Sequence, residues 1–291
     1  MSKINFAHKE WDFDKLNSLT KYPSILTYHE LGTKGGLKEG LVEGKSFAGQ
    51  EVYITEKVDG TNGRIVFATN DKGEVIDYLL GSRENLLYAK GDRVENPSLN
   101  IVSTMKYYAD ILCVVPEQEL LPNHIYALYG EVYGGNCNGF KNYTSRGTWG
   151  VRFFDVWAMP LNEAYRIVEE KEIAAISIWR EHAGQPFFSV GEFAFLLATA
   201  SFGNTPYEII TPNNYIFQKV PYIKSISGSE IPEDLKGAYE FLKEFALSGA
   251  VLEPEAAAKS EGVVIRTADR KLIRKLRFDD YRKTEKQGLI K

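Results

Sequence analysis

The sequence predicts an α+β fold in which antiparallel β-sheets are flanked by helices. Runs rich in Val, Ile, Tyr, Phe and Trp, separated by short turns containing Gly and Asn, are typical of strands. Other stretches space their apolar residues every three or four positions, as amphipathic helices do. With 291 residues, 44% of them hydrophobic, the chain can bury the core that such a fold requires.

The predicted strands begin with residues 52–59, which carry Lys57 to a turn. Residues 64–69 and 75–80 follow, and the three together resemble an antiparallel meander. Residues 124–133 and 149–157 are predicted as two further strands, with a Gly- and Asn-rich loop between them.

Amphipathic helices are predicted over residues 161–181 and 232–247, each with acidic residues near its start. They lie within a predicted helical elaboration of about residues 160–255. The last strands are predicted as a hairpin of residues 262–267 and 272–278.

Alternation along the second strand of this hairpin decides which charged side chains lie together. Lys275 and Arg277 are expected on one face and Arg274 on the other, although a bulge would reverse that assignment.

No Pro-, Gly- or Ser-rich linker divides the chain, so a single domain over residues 1–291 is expected, with an N-terminal segment of residues 1–50. The first residues lack the apolar core of a signal peptide, and the apolar runs are too short to cross a bilayer. We therefore expect a soluble, cytoplasmic protein. The two cysteines and four histidines lack the spacing of a zinc site or a disulfide framework.

Charge is distributed unevenly along the chain. Residues 259–291 contain eleven Lys/Arg and five Asp/Glu, whereas the preceding residues contain 24 and 34. The net charge of −4 argues against indiscriminate nucleic-acid binding. The basic end could be a solvated tail, but its charges lie within strand-like runs, which favours a phosphate-facing surface.

Lys57 lies beside an acid and a glycine turn, as covalent nucleotidyl transfer requires. The pattern Lys-x-Asp-Gly alone is weak evidence, but further short segments follow it in order. The segments are 55–62 (TEKVDGTN), 81–83 (GSR), 129–134 (YGEVYG), 151–156 (VRFFDV), 260–266 (SEGVVIR) and 273–277 (IRKLR).

This ordered set resembles the motifs of the covalent nucleotidyltransferase superfamily of DNA ligases, RNA ligases and mRNA capping enzymes, over about residues 50–280. Residues 56–62 and 277–281 look most like the RNA ligases related to phage RNA ligase 2 and to RNA-editing ligases. Asp59 is closer to DNA ligases, since that RNA ligase branch usually has histidine there. The fold implied is the nucleotidyltransferase fold. Because only about fourteen residues follow Arg277, no C-terminal OB domain is expected.

The resemblance implies that the neutral amine of Lys57 attacks the α-phosphorus of ATP and leaves AMP covalently attached. Glu56 would meet the adenine edge, and Asn62 would lie near the reacting phosphate in later steps. Asp59 could orient the lysine or be an ordinary turn acid. Lys57 itself could otherwise be an exposed lysine at a strand end.

Glu131 and Glu261 would hold the ribose and the catalytic metal, or could be strand-edge carboxylates. Because bare carboxylates would repel a polyphosphate, a cation is expected between them, either Mg²⁺ or Mn²⁺ and mostly water-coordinated.

Phe154 would stack on adenine with Asp155 behind it, although a core aromatic is the alternative. Phe153 and Phe154 should point to opposite faces of their strand. Lys275 and Arg277 would contact the α-phosphate.

Arg83 would serve the ribose or the 5′-phosphate of the substrate, or lie on the surface. The expected catalytic residues are Lys57, Glu131, Glu261, Lys275 and Arg277.

The function expected is an ATP-dependent RNA ligase that joins 5′-phosphate and 3′-hydroxyl ends, with any further nucleic-acid surface supplied by a separate partner protein. The alternatives are a minimal DNA nick ligase, a capping-type guanylyltransferase, and a non-catalytic module that binds 5′-phosphate ends. The alternative substrates are nicks, tRNA breaks, single-stranded ends and hybrids.

Overall fold

The computed structural model describes residues 2–90, 100–114, 119–202 and 216–290. In chain order the strands are β1 (Lys3–Phe6), β2 (Lys9–Asp12), β3 (His29–Leu31), β4 (Leu37–Leu41), β5 (Glu51–Lys57), β6 (Thr61–Thr69), β7 (Val75–Ser82), β8 (Leu86–Ala89), β9 (His124–Gly134), β10 (Trp149–Pro160), β11 (Tyr222–Ser227), β12 (Gly262–Thr267) and β13 (Ile273–Arg277). The α-helices are α1 (Phe13–Thr20), α2 (Ile101–Val114), α3 (Leu161–Glu170), α4 (Ile173–Glu181), α5 (Val190–Phe202), α6 (Leu235–Lys243) and α7 (Phe278–Lys286).

The chain divides into two compact units. The first comprises Met1–Pro23, Thr61–Val132 and Gly150–Gln218, and the second comprises Ser24–Gly60, Tyr133–Trp149 and Lys219–Lys291. Among the described residues, no helix is long and apolar enough to span a membrane.

The first unit is built on a five-stranded sheet in the order β10-β9-β6-β7-β8. Strand β6 pairs antiparallel with both β7 and β9. Its core includes Trp11, Leu79, Tyr129 and Trp157, all buried. This packing fixes the ends of β6, β7 and β9, where three of the predicted site residues lie.

Buried polar groups satisfy the backbone at the end of α1. The hydroxyl of Tyr129 donates to the carbonyl of Thr20 at 2.8 Å. Arg180 donates to the carbonyl of Ser18 at 2.6 Å, and Gln185 donates to that of Leu19 at 2.8 Å. The last carbonyls of a helix have no partner within it, so these side chains hold α1 against the rest of the unit.

The second unit contains a four-stranded sheet in the order β11-β5-β12-β13, whose pairings are antiparallel. Val52 and Ile54 of β5 point into a core shared with Val263 and Ile265 of β12. The alternation of buried and exposed residues along β5 and β13 leaves Lys57, Lys275 and Arg277 half-buried on the other face. The predicted separation of Lys275 and Arg277 from Arg274 is therefore confirmed.

Three predictions about the elements need correction. The meander was wrong in its first strand, because β5 pairs with β11 and β12 in a different sheet from β6 and β7. The helix predicted over residues 161–181 is two helices, since Glu172 is extended (φ −75°, ψ 154°). The second predicted helix is shorter and begins at Leu235, after the capping side chain of Asp234.

The predicted elaboration of residues 160–255 contains strand β11 as well as helices α3 to α6. Residues 203–215 of that stretch lie outside the described residues.

Candidate active site

Lys57 is the last residue of β5, and its neighbour across the sheet is Gly262. The lysine Nζ forms an ion pair with a carboxylate oxygen of Glu261, the residue before Gly262. Burial raises the pKa of Glu261, and the positive charge of Lys57 opposes that rise. The pairing of β5 with β12 therefore places the predicted nucleophile against a predicted metal ligand.

Asp59 lies just past the end of β5, where the chain leaves the sheet. Its backbone N–H donates a hydrogen bond to the hydroxyl of Tyr143 at 2.7 Å. Burial raises the pKa of the Asp59 carboxyl, while the charges of Lys57 and Arg277 act to lower it. Asp59 thus lies within the electrostatic field of the predicted site.

Arg277 ends β13 and makes a bidentate ion pair with Asp280, with both N–O distances 2.8 Å. Its charge also acts on Glu261 and Asp59, so these groups belong together. We call Lys57, Asp59, Glu261 and Arg277 the lysine cluster. Two cations and two acids lie within electrostatic range of one another there, and the cations are of the kind that hold phosphate groups.

Lys275 is held beside this cluster through its backbone. Its N–H donates to the carbonyl of Leu26 at 3.0 Å, and its carbonyl accepts from the N–H of Tyr28 at 3.1 Å. The buried Arg274 on the opposite face pairs with Glu43 at 2.7 Å. The segment before β5 therefore braces β13 along its outer edge and on the face that carries Arg274.

Glu56 faces away from Lys57 and is only 3% exposed. Its carboxylate accepts hydrogen bonds from the hydroxyl of Ser248 and from the backbone N–H of Gly249, the latter at 2.8 Å. Its own N–H donates to the carbonyl of Pro221 at 2.9 Å. The carboxylate predicted to meet adenine thus also fastens the 248–249 segment.

Three predicted residues come together at one end of the sheet in the first unit. Asn62 of β6 lies opposite Glu131 of β9, and Gly63 lies opposite Ser82, the residue before Arg83. The side-chain oxygen of Asn62 is buried and has no hydrogen-bond partner among the described residues. A buried acceptor without a partner is costly, so this oxygen indicates a place for a donor from solvent or ligand.

The loop that carries Arg83 is held by the N-terminal helix. Asn17 donates to the carbonyl of Glu84 at 3.0 Å, and Lys21 forms an ion pair with the Glu84 carboxylate at 3.1 Å. Asn17 in turn accepts a hydrogen bond from Arg64, which is 0% exposed. Arg83 itself is exposed, so α1 supports the loop and leaves the guanidinium accessible.

Phe153 and Phe154 point to opposite faces of β10, as predicted. Phe153 is fully buried, whereas Phe154 is half-buried and packs edge-on against Tyr22 at 5.1 Å. The hydroxyl of Tyr22 donates to the buried Asp155 at 2.9 Å. One aromatic ring therefore fills the interior while the other keeps an accessible part.

The two predicted metal ligands lie in different units, Glu131 in the first and Glu261 in the second. In the described part of the chain, no three His, Cys, Asp or Glu side chains are grouped to hold a metal. Carboxylate oxygens are nevertheless the donors that Mg²⁺ and Mn²⁺ prefer, and magnesium is commonly held by one or two carboxylates with water and substrate phosphate. The Glu261 carboxylate, beside Lys57 in the second unit, fits that mode of binding.

Part of the basic C-terminal charge is neutralised within the second unit. Besides Arg274 and Arg277, Lys271 pairs with Asp269 at 2.9 Å and Arg282 pairs with Asp279. The predicted phosphate-facing surface is thus narrower than the eleven Lys/Arg of the segment indicate.

Sequence reasoning did not find several residues that hold the site together: Tyr143, Ser248, Asp280, Asn17 and Arg64. Asp280 had a local signal, since it lies three residues after Arg277 in the first turn of a helix, where an acid is favoured. The others contact the site only through pairings distant in sequence.

The sequence matches a known protein family over most of its length. A family model described as RNA ligase matches residues 50–284, which is most of the chain. The chain belongs to the RNA ligase family.

Solved structures show the same relationship at the level of the fold. Naegleria gruberi RNA ligase with PPi is similar over 92% of this chain and 59% of its own, at a TM-score of 0.53 and 14% identity. An apo aspartate-to-alanine mutant of that ligase is similar over 93% of this chain and 58% of its own, at a TM-score of 0.51 and 14% identity. A lysine-to-alanine mutant with ATP and Mn is similar over 91% of this chain and 63% of its own, at a TM-score of 0.50 and 15% identity. The predicted α+β nucleotidyltransferase fold of this RNA ligase family member is confirmed.

This chain spans about three fifths of the length of those solved chains. A search of curated proteins finds no match to it.

Proposed function

We propose that this RNA ligase family member is an ATP-dependent enzyme that seals 5′-phosphate to 3′-hydroxyl RNA ends through AMP bound covalently to Lys57. The observation that carries the proposal is the lysine cluster, in which Lys57 contacts Glu261 beside Arg277. This cluster supports the proposal because it brings a lysine, an acid and an arginine within electrostatic range of one another.

In the first step, the Nζ lone pair of Lys57 forms a bond to the α-phosphorus of ATP. The bond from that phosphorus to the bridging oxygen breaks, its electrons leave with pyrophosphate, and the amine releases its proton to solvent. Arg277 and Lys275 stabilise the negative charge that builds on the phosphate oxygens. Asp280 keeps the Arg277 guanidinium in one orientation, through the bidentate pair.

The amine attacks through its Nζ lone pair, so Lys57 must leave its ion pair with Glu261 before it reacts. We therefore propose that Glu261 contacts another cation, Mg²⁺ or Mn²⁺, when ATP is bound. Glu131 of the first unit is proposed separately as a metal ligand. Such a metal, when bound, neutralises phosphate charge. The raised pKa of Glu261 supports this assignment, because a buried carboxylate gains most from a nearby cation.

In the two later steps, AMP passes from Lys57 to the RNA 5′-phosphate, and the 3′-hydroxyl then displaces AMP to form the phosphodiester. We assign Asn62 to the reacting phosphate in these steps, supported by its buried oxygen without a partner. Arg83 is assigned to the ribose or the 5′-phosphate, supported by its exposed position on a braced loop.

Phe154 of the first unit and Glu56 of the second are each proposed, on separate grounds, as adenosine-binding residues. The half-buried ring of Phe154 supports stacking on the base. The structure supports an indirect role for Glu56 in adenosine binding, because its carboxylate accepts hydrogen bonds from Ser248 and Gly249 and so holds that segment in place. The Naegleria ligase mutant solved with ATP and Mn supports the choice of nucleotide and metal.

The test is the intact mass of the protein after incubation with ATP and Mg²⁺. Wild type should gain the mass of one AMP, and Lys57→Ala should gain none. Lys236→Ala removes an exposed lysine of the same unit and should behave as wild type. If wild type carries no AMP before or after incubation, the proposal is wrong and a non-catalytic binding module becomes the better account.

A minimal DNA nick ligase is the second candidate, favoured by Asp59. Nicks with RNA ends and nicks with DNA ends, offered to the adenylated protein, distinguish the two. Incubation with GTP in place of ATP tests a capping-type guanylyltransferase. We also predict that residues 1–291 act as a single domain. A separate nucleic-acid-binding partner and a cytoplasmic location are predicted as well.

A further inference from the structure

Tyr143 is a buried residue of the second unit that contacts the chain just after Lys57. It is 0% exposed, and its hydroxyl accepts the 2.7 Å hydrogen bond from the backbone N–H of Asp59. Its ring packs edge-on against Tyr133, with centroids 5.1 Å apart. Because it is completely buried, Tyr143 cannot touch ATP and can act only through its neighbours.

The hydrogen bond falls where the sheet stops holding the chain. Lys57 pairs with Gly262 as the last residue of β5, and the next strand begins at Thr61. Asp59 lies between these strands, so its amide depends on a side chain for a partner. The Tyr143 hydroxyl supplies that partner and fixes the backbone two residues beyond the predicted nucleophile.

Gly139 approaches the side chain of the same aspartate. It has a left-handed backbone (φ +67°), and a Cβ built there would lie 2.4 Å from a carboxylate oxygen of Asp59. Any other residue would both strain the backbone and displace that carboxylate. The segment of residues 139–143 thus contacts Asp59 at its backbone and at its side chain.

This segment is itself anchored to the chain that leads to Glu261. The N–H of Leu252 donates to the carbonyl of Tyr143 at 2.7 Å, and the N–H of Ala258 donates to that of Asn142 at 3.0 Å. Tyr143 therefore links the backbone beside Lys57 to the chain that precedes its ion-pair partner.

We propose that Tyr143 is a positioning residue for Lys57, and that its hydroxyl holds the Asp59 backbone so that the amine points at the α-phosphorus. The inference rests on the proposed adenylation of Lys57. A misplacement of about 1 Å can cost about 100-fold in rate, so a single hydrogen bond at this point is enough to matter.

The test compares two half-reactions of Tyr143→Phe, which removes the hydroxyl and keeps the ring. One is single-turnover transfer of AMP from ATP to Lys57, and the other is sealing of RNA that already carries a 5′-adenylate. Lys57 forms no bond in the second reaction. Adenylation should slow by about 10- to 100-fold with the KM for ATP within about twofold of wild type, and sealing should change by less than about threefold.

The matched control is Tyr281→Phe. Tyr281 is a buried tyrosine of the same unit whose hydroxyl bonds to His29 at 2.9 Å. Both half-reactions of this control should stay within about twofold of wild type, because His29 is no part of the site. Gly139→Ala should likewise slow adenylation while leaving sealing nearly unchanged. If Tyr143→Phe does not fold, Gly139→Ala serves as the test of the positioning role.

Each result has one meaning. A wild type that does not adenylate overturns the proposed function itself. If wild type adenylates and Tyr143→Phe does so equally fast, the positioning role is wrong. Equal slowing of adenylation and sealing also overturns it, since a general structural role predicts that pattern.

Discussion

The two units place their candidate residues in different ways. In the second unit, charged side chains contact each other directly: Lys57 pairs with Glu261, and Arg277 pairs with Asp280. In the first unit, Asn62 and Glu131 are placed by the register of their strands, with Arg83 on the adjoining loop. The candidate residues of the second unit are held by ion pairs, whereas those of the first unit are positioned by the backbone pairing of their strands.

This difference between the units determines whether a substitution also affects the neighbouring site residues. Charges in contact share their protonation and orientation, so removing one partner changes the others. Residues placed by strand register keep their geometry when a neighbour is replaced, and they depend on the packing below them. Substitutions in the lysine cluster should therefore act on rate, and substitutions beneath the first sheet should act on stability.

The largest effect is expected for Glu261→Gln. The amide keeps the size of the side chain but loses the charge that contacts Lys57 and that we assign to the metal. Adenylation should fall by about 100- to 1,000-fold, as when one preorganised electrostatic group is lost from an active site. Single-turnover mass spectrometry with ATP and Mg²⁺ measures this rate.

Glu255→Gln is the control for that measurement. Glu255 belongs to the same unit and pairs with Arg146 at 3.8 Å on the surface. An exposed pair contributes little, so adenylation should be unchanged. If Glu261→Gln lowers the rate by less than about tenfold, the charge network is not what drives the first step.

A smaller effect is expected for Asp280→Asn, which weakens the support of Arg277. Asp280 is 2% exposed and makes both hydrogen bonds to the guanidinium, whereas Asp279 pairs with Arg282 on the surface. Loss of a buried charged hydrogen bond costs about 1.5–3 kcal/mol in the free energy of unfolding. Urea unfolding measures it, and Asp279→Asn should change it by less than about 0.5 kcal/mol. Similar losses in both variants would show that the buried pair does not support β13.

Sequence reasoning was most successful where a local pattern carries the structure. The alternation along β13 correctly separated Lys275 and Arg277 from Arg274, because side-chain direction in a strand has a period of two. Phe153 and Phe154 were separated for the same reason. The same argument did not reveal that β5 belongs to another sheet, since its partner β12 lies about 200 residues away.

The supporting residues of the site were out of reach for a similar reason. Tyr143 contacts Asp59 across 84 residues, and Ser248 contacts Glu56 across 192. No periodicity or spacing in a single sequence marks such pairs. The order of the short motifs could identify the family, but the groups that hold those motifs in place become visible only in the folded chain.

A third substitution examines the scaffold of the first unit. Arg64 is fully buried, and its Nε and one terminal nitrogen have no hydrogen-bond partner among the described residues. Burial lowers the pKa of Arg64 to about 10, which reflects the cost of keeping a charge there. Arg64→Met keeps the length without the charge, so stability should stay equal or rise by up to about 2 kcal/mol.

Chemical unfolding of Arg64→Met beside wild type measures this, and Arg166→Met on the surface of α3 should be neutral within about 0.5 kcal/mol. A loss of more than about 2 kcal/mol would mean that ordered water satisfies the guanidinium, so that the scaffold depends on it. The two units would then differ less than proposed, because both would depend on charged side chains to position their candidate residues.

The smallest effect concerns pH, to which the interiors of the units should respond differently. Arg64 stays charged between pH 5 and 8, so the first unit holds a buried cation that does not titrate there. The second unit holds His29, fully buried between the hydroxyl of Tyr281 at 2.9 Å and the carbonyl of Glu233 at 3.0 Å. Burial lowers the pKa of His29 below its usual value of 6.5.

The sign follows from proton binding. Below about pH 6.5 the unfolded chain binds a proton at His29 before the folded chain does, so stability falls as the pH falls and is fully present above that value. The slope cannot exceed about 1.4 kcal/mol per pH unit for one group. Urea unfolding at pH 5.5 and 7.5 should therefore show a loss at the lower pH that His29→Gln reduces and that His182→Gln, at an exposed histidine, leaves intact. An equal loss in wild type and His29→Gln would assign the acid sensitivity to other groups, and the buried histidine would then not distinguish the second unit from the first.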